Sequence, residues 1–398
     1  MIFPRAILSS LGLVAGSMAA ASGKPVFAHY MIGGISEAHC QQDVQDALDL
    51  GLDAFALNFD QFASWSNATV DYLFDAADDL GFGLFFSFDM SGDYFSDPSE
   101  YAAYLLQYTS RGSYFLYSGT PLVSTFGDGV FNWDSWPAAN SGNISVPTSG
   151  DETYLSAASA NSKLFMMGIS PLQFKHISSS TNWYRRGESN LEVRLGQALS
   201  LQPDMLEIQT WNDGGESHYV GNLWKDPFEG STAGEAIWAY AGEYHHAGYQ
   251  EILKSFIRAW KAGDEATDGM VPTNGEAAQG VFWHHTLTVD GDCAGDDLGK
   301  PGGIDDAEDR LTAVVLVQEG QSGLYAIAWS GPTELGQVDL VEGYNSFFFG
   351  GMTPGIVTVE VWQNDAKILG ASGPIQMTDS SSICNYNFQV VALEKWNE

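Results

Sequence analysis

Two carboxylates three positions apart, Asp213 and Glu216, are the residues most able to do chemistry. They stand in EIQTWNDGGESHYVG, Glu207 to Gly221, separated by Gly214, Gly215. Trp211 and Asn212 precede them, and His218 and Tyr219 follow. Glycosidic bond cleavage needs such a pair: one carboxylic acid protonates the leaving oxygen, and one carboxylate acts on the sugar or on water. Three residues of extended chain span at most about 10 Å. With two glycines free to turn, the acids can face one cavity at the shorter retaining separation or the longer inverting one. Spacing therefore leaves the stereochemistry open.

Other residues suit the same site. Asp60 follows the apolar run FALNF, Asp89 ends FFSFD, and Asp213 follows MLEIQTWN. His29 and Tyr30 fall late in the first apolar run, where they can point into the same mouth. Each of these alone reads equally well as a helix cap or a turn residue; their recurrence at one topological position favours a site. Sugar rings present apolar C–H faces that stack on aromatic side chains. FNWDSWPAAN and TNWYRRG offer Trp133, Trp136 and Trp183 for that purpose, although tryptophans also fill cores.

Other chemistries find no support. The sequence has no G-x-S-x-G elbow, P-loop or H-E-x-x-H. His245-His246 and His284-His285 are doublets whose neighbouring rings diverge on a regular helix or strand. VDGDCAGDDLGKPGG resembles a calcium loop, but counted from Asp290 its fifth position is Ala294 and its twelfth Pro301, so the pattern fails. The loop reads as a solvated linker, and neither metal nor cofactor is expected.

The elements that must position these residues alternate. Strands are predicted at 25–32, 53–59, 82–90, 121–126, 163–171, 205–211 and 280–287. Helices are predicted at 36–51, with Ser36 and Gly51 as caps, and at 67–81, 97–112, 188–201 and 232–262. Strands apolar on both faces belong to parallel sheets covered by crossover helices. The pattern predicts a TIM-type (β/α)8-like barrel over 24–300, with chemistry at the C-terminal strand ends. Only seven strands are counted, so one βα unit is missing. A doubly wound sheet is the alternative, but no Gly-rich dinucleotide fingerprint follows any strand. From 305 to 398 short strands follow one another without helical period, which predicts an all-β sandwich.

Composition sets the environment. Sixteen Lys and Arg oppose 50 Asp and Glu, a net charge of −34, which argues against nucleic acid or an anionic membrane as partner. Residues 1–21 read as a secretory signal peptide, with one Arg, an apolar run and Ala19-Ala20-Ala21 before Ser22. Sequons at Asn67 and Asn143 fit a secreted chain. Of three cysteines, Cys293 and Cys384 can pair, while Cys40 in a helix reads as a buried thiol. A monomer is expected.

The runs FAHYMIG, LFFSFDM, FNWDSWP, KLFMMGISP, NWYRRG, LQPDMLEIQTWNDGGESHYVG and NYNF resemble fungal glycoside hydrolase family 71, the α-1,3-glucanases or mutanases. The resemblance covers nearly all of the chain after the leader and is most specific at WNDGGESHYVG. It implies endo-type hydrolysis of α-1,3-glucan with inversion, with Asp213 as base and Glu216 as acid. It further implies glucan contacts from His29, Asp89 and Tyr219. The expected substrate-binding set adds Tyr30, Asp60, Trp133, Trp136, Trp183, Arg186, Trp211, Asn212 and His218. In two places the chain departs from the family pattern: only four residues part Phe126 from Phe131, where the family has a further strand–helix unit, and WHHT stands at 283–286. A catalytically weak or inactive glucan-binding relative is therefore the alternative.

Overall fold

The apolar runs VFAHYM, AFALNF and GLFFSFD form three parallel strands, β1 (Val26–Met31), β2 (Ala54–Phe59) and β3 (Gly83–Asp89). Two helices connect them, α1 (Glu37–Leu50) and α2 (Ser64–Leu80). Ser36 caps α1 by accepting from the His39 amide, and Gly51 ends it at φ 99°. This is a computed structural model, and it describes residues 23–91, 94–126 and 131–396. The leader expected at 1–21 lies outside the described residues.

Four further strands complete the sheet: β4 (Ser124–Phe126), β5 (Phe131–Asn132), β6 (Met166–Ile169) and β9 (Met205–Ile208). Between β6 and β9 lie an antiparallel hairpin, β7 (Gln173–Ser178) and β8 (Thr181–Arg185), and helix α5 (Asn190–Leu201). The strand order is β4–β3–β2–β1–β9–β6–β5. The last strand thus returns to the first, as in a barrel, but β4 and β5 are neighbours in sequence and stand at opposite edges. Among the described residues the sheet is therefore a curled, open parallel sheet and not a closed eight-stranded barrel. Residues 127–130 between the two edge strands lie outside the described residues.

Short β5 is held by buried charge. Arg194 of α5 donates to Asp151 Oδ1 (3.0 Å) and to Gly168 O (2.8 Å), and Asn132 of β5 donates to the same Asp151 oxygen (3.0 Å). Asp151 belongs to α4 (Ser149–Ala160), which follows α3 (Ala102–Tyr108) along the chain and is not among the predicted helices. The long helix expected over 232–262 is two helices, α6 (Thr232–Ala241) and α7 (Gln250–Ala262). Ser231 caps α6 by accepting from the Gly234 amide.

The strand predicted as the last of the barrel is instead β10 (Ala278–His285). It pairs antiparallel with β11 (Arg310–Val317) and, on its other side, with β17 (Phe388–Ala392). All eight residues of β10 and of β11 are buried, the signature that suggested a parallel strand. The physical reason lies in the two cores. Val281, Trp283, Val314 and Leu316 join the core of the parallel sheet, whereas Phe282, Ala313, Val315 and Val317 join the core of the sandwich. Completing this inner sheet is β14 (Gly343–Gly350).

The outer sheet runs β13–β12–β15–β16–β18, with β12 (Leu324–Ser330), β13 (Thr333–Leu340), β15 (Val357–Gln363), β16 (Ala366–Ser372) and β18 (Glu394–Lys395). Its strands β12 and β15 alternate buried and half-buried residues, as a sheet covered on one face does.

Cys293 and Cys384 form a disulfide, and Cys40 is free and buried. The segment read as a solvated linker is fastened. Asp296 accepts from the Cys384 amide (2.8 Å) and meets His176 Nε2 of β7 (2.7 Å), while the Tyr184 amide of β8 donates to Gly302 O (2.8 Å). No helix among the described residues is long and apolar enough to cross a membrane.

Candidate active site

After β9 the chain makes a tight loop that brings the two acids together. Asp213 receives its shape from Thr210, whose hydroxyl accepts from the Asp213 amide (2.8 Å), and the amide of Glu216 donates to Asp213 Oδ1 (3.0 Å). The residue in left-handed conformation is Ser217, at φ 60°. The two glycines serve by close approach: a Cβ on Gly214 would meet Leu223 at 2.8 Å, and one on Gly215 would meet Asp213 Oδ1 at 3.2 Å. Tyr240 of α6 donates to Gly215 O (2.7 Å), and the Phe174 amide of β7 donates to Glu216 O (3.0 Å). The loop is thus pinned from two sides.

His218 stands between the acids. Its Nε2 is 3.1 Å from Asp213 Oδ2 and 3.6 Å from Glu216 Oε2. The ring is fully buried, edge-on to Trp136 at 5.0 Å and to Trp133 at 6.2 Å. Glu216 also accepts from Lys175 Nζ (2.9 Å) and from Gln173 Nε2, both on β7. Burial by itself pushes the Asp213 carboxyl up. The hydrogen bond and charge of His218, the Glu216 amide and Lys175 outweigh it, and the pKa lies below the usual carboxylate value. Asp213, Glu216 and His218 each offer one ligand atom within 4.8 Å of the others, so a divalent cation could be held there. Lys175 already supplies Glu216 with positive charge, which fits a hydrogen-bonded acid pair better.

Of the other expected residues, His29, Asn212, Trp133, Trp136 and Trp183 lie on or beside the groups of this site, and Asp60 and Asp89 stay at their strand ends. His29 points into the sheet's interior, buried, with Nδ1 2.7 Å from Glu207 Oε1 and its ring edge-on to half-buried Trp133 at 4.9 Å. Asn212 holds the loop to β1, accepting from the Met31 amide (2.8 Å) and donating to its carbonyl (3.1 Å). Trp136 is buried, its Nε1 donating to Leu172 O. Trp183 lies under the Lys175 ammonium, 5.1 Å from ring centre to nitrogen. Asp60 and Asp89 sit at the ends of β2 and β3. Burial, with Asp89 contributing, raises the Asp60 carboxyl, while Asp89 Oδ1 accepts from the amide and hydroxyl of Ser91.

Four expected contacts lie elsewhere. Tyr30 faces α1, its hydroxyl donating to Asp43 (2.8 Å), because residues on a strand alternate and His29 takes the inner face. Trp211 is fully buried against Phe55 and closes on Gly221, where a Cβ would collide with its ring. Tyr219 is buried, stacked on His246 at 4.0 Å, and donates to Ala241 O. Arg186 is buried between Glu188 (3.7 Å) and Glu308 (2.7 Å) and ties β8 to the sandwich side. His246, His284 and His285 are buried in the structure, and burial lowers His246 to about 4 and His284 to about 3.

Sequence reasoning missed Glu207, Gln173, Lys175 and Trp65. Glu207, a carboxylate inside the apolar run MLEIQ, carried a signal that was available. Trp65 carried none: it stands at the start of α2 and lines a cavity of about 470 Å3 beside Asp213, with Gly33, Phe228 and Ile237.

Two carboxylates under one histidine, at the mouth of a parallel sheet and beside tryptophan, are the equipment of a glycoside hydrolase. The chain belongs to glycosyl hydrolase family 71, whose family model matches residues 22–128 and 127–397. It is 27% identical to a mutanase of Penicillium rubens over 419 residues, covering 92% of this chain and 88% of that one. It is 26% identical to a glucan endo-1,3-alpha-glucosidase of Schizosaccharomyces pombe, covering 92% and 93%. An ascus wall endo-1,3-alpha-glucanase of the same yeast is 24% identical, with 92% and 96% covered. A solved GH99 endo-alpha-mannosidase of Bacteroides thetaiotaomicron superposes with a TM-score of 0.45 at 9% identity, over 60% of this chain and 98% of that one.

Proposed function

We propose that this glycoside hydrolase cleaves α-1,3-glucan internally and with inversion, Asp213 serving as base and Glu216 as acid. The observation that carries the reading is the loop after β9, which clasps both acids around His218. The named activities of the similar fungal proteins supply the substrate. A base must be a carboxylate, and Asp213 is held as one. Glu216 must carry a proton to act as acid, and at rest it accepts from Lys175 and Gln173. One oxygen of each acid lies within 4.8 Å of the other, and inversion needs room for a water between the two carboxyls. Inversion therefore requires that substrate draw Glu216 away from β7, which opens room for water.

The sheet is, in this reading, a (β/α)8-type barrel from which one unit between β4 and β5 is absent. The family match, in two pieces meeting at 127–128, supports it, as does an alignment longer than this chain's 398 residues. The same break supports the second reading, a glucan binder with little hydrolysis. The expected leader places the protein outside the cell; N-terminal sequencing of secreted protein should begin near Ser22.

Proton NMR of protein acting on α-1,3-glucan oligosaccharides tests the mechanism. A β-anomer appearing first is expected. An α-anomer first would mean that the acids work at their resting separation, by double displacement. No product from folded, glucan-binding protein would leave the second reading.

A further inference from the structure

The run NYNF, Asn385 to Phe388, leads from the disulfide at Cys384 into β17 of the sandwich. Two of its side chains reach back across the seam toward the parallel sheet. Asn385 Nδ2 donates to Tyr240 O (3.0 Å), and Asn387 Nδ2 donates to the same oxygen (3.3 Å) and to the Tyr219 hydroxyl (3.4 Å). Both asparagines are buried. Their side-chain oxygens are already engaged: Asn385 Oδ1 accepts from the Asn387 amide and Asn387 Oδ1 from the Phe388 amide, each at 2.9 Å. This fixes which way each side-chain amide points and turns both amino groups toward Tyr240.

Tyr240 is the penultimate residue of α6. The last four carbonyls of a helix have no partner within it, and a buried one needs a donor from elsewhere. Here two donors come from one run of the sandwich. The other end of Tyr240 holds the acid loop. Its hydroxyl donates to Gly215 O (2.7 Å), in the peptide that joins Gly215 to Glu216 and two residues after Asp213. Its ring stands edge-on to Phe174 at 5.4 Å, and the Phe174 amide donates to Glu216 O (3.0 Å). Tyr240 is thus fastened at its carbonyl by the sandwich and at its hydroxyl to the backbone between the acids. A tyrosine side chain turns about only two χ angles, so a shift of the carbonyl passes to the hydroxyl with little slack.

We infer that Asn385 and Asn387 are positioning residues for hydrolysis: through Tyr240, the sandwich sets where Gly215 lies and hence how Asp213 and Glu216 face one another. The inference rests on the acid roles proposed above. It gives the sandwich a part in the reaction beyond covering the parallel sheet.

The test is steady-state hydrolysis of soluble α-1,3-glucan oligosaccharides by full-length variants, well below their melting temperatures, with melting curves recorded alongside. Asn385→Ala and Asn387→Ala are expected to lower kcat by roughly 10- to 100-fold and to leave KM near the wild-type value. Tyr240→Phe keeps the ring, loses only the hydroxyl and should lower kcat to a similar degree. Adding Asn385→Ala to it should cost little more, because both changes break one chain of contacts. Thr312→Val is the control. It removes another buried tie across the seam, from the Thr312 hydroxyl to Glu188 O, and should lower the melting temperature while sparing kcat. Wild-type kcat in folded asparagine variants would overturn the inference. So would losses that multiply in the double variant, or an equal loss of kcat in Thr312→Val. Where an asparagine variant fails to fold, unchanged kcat in Tyr240→Phe would overturn it. Active Asp213→Asn and Glu216→Gln enzymes would remove the acid roles and this inference with them. If those two are inactive and the asparagine variants are unaffected, the inference alone falls.

Discussion

The two halves of the parallel sheet are built differently. β1, β2 and β3 have six or seven residues each, with capped helices between them and phenylalanines filling the interior. β5, β6 and β9 have two to four, and the segments around them carry the β7–β8 hairpin, α4 and the acid loop. The regular half ends in Asp60 and Asp89 on neighbouring strands. In the irregular half, Asp213, Glu216, His218, Lys175 and Gln173 meet. A regular strand aims alternate side chains at opposite faces. A pinned loop can turn residues three apart toward each other, and the surrounding short strands leave space for it. Buried charge then replaces the ladder bonds that short strands lack.

The sharpest check on this contrast is removal of the acids. Asp213→Asn and Glu216→Gln should each lower kcat by roughly 10²–10⁴-fold with an unchanged melting curve; an active Glu216→Gln enzyme would end that assignment. Next comes the buried support. Asp151→Ala strands Arg194, whose side chain, like that of Asp151, is fully buried, so a loss of about 3–5 kcal/mol is expected in denaturant unfolding. A loss under ~1 kcal/mol would mean that β5 does not depend on this pair.

The pH profile sharpens the comparison further. Asp213 works as base only when deprotonated, and its pKa lies below the usual carboxylate value. The acid limb of kcat/KM should therefore fall below the ordinary aspartate range. Glu216 works as acid only when protonated. Lys175 holds it at 2.9 Å, so Lys175→Met should lower kcat/KM; an unchanged value would mean that this contact does not position the acid. The smallest effect is expected on the regular half, where Asp60→Asn should change KM and spare kcat. A collapse of kcat there would erase the distinction between the halves.

Much of this was legible beforehand. The strands β1 to β3, the caps of α1, the disulfide partners and the acid pair follow from local pattern: apolar alternation, Ser and Gly at helix ends, and spacing across glycines. Other residues could not be placed. Tyr30 and His29 are adjacent, and only the sheet's curvature says which faces the interior. Trp211 and Tyr219 flank the acids in sequence, yet each turned into a core. Gln173 and Lys175 sit in a hairpin whose partner, Glu216, is some forty residues away.

What the sequence by itself determined is the regular elements β1 to β3, α1 and α2 and the chemical kinds of residue at their ends, because both depend on neighbours along the chain. What only the tertiary structure decided is what each face is buried against. β10 shows it most plainly. Eight buried residues in a row mark a strand covered on both sides, and the pattern is the same whether helices cover it or a parallel sheet on one face and an outer sheet on the other. Hydrophobic burial is non-directional, so the sequence records that β10 is enclosed, and only the fold records by what.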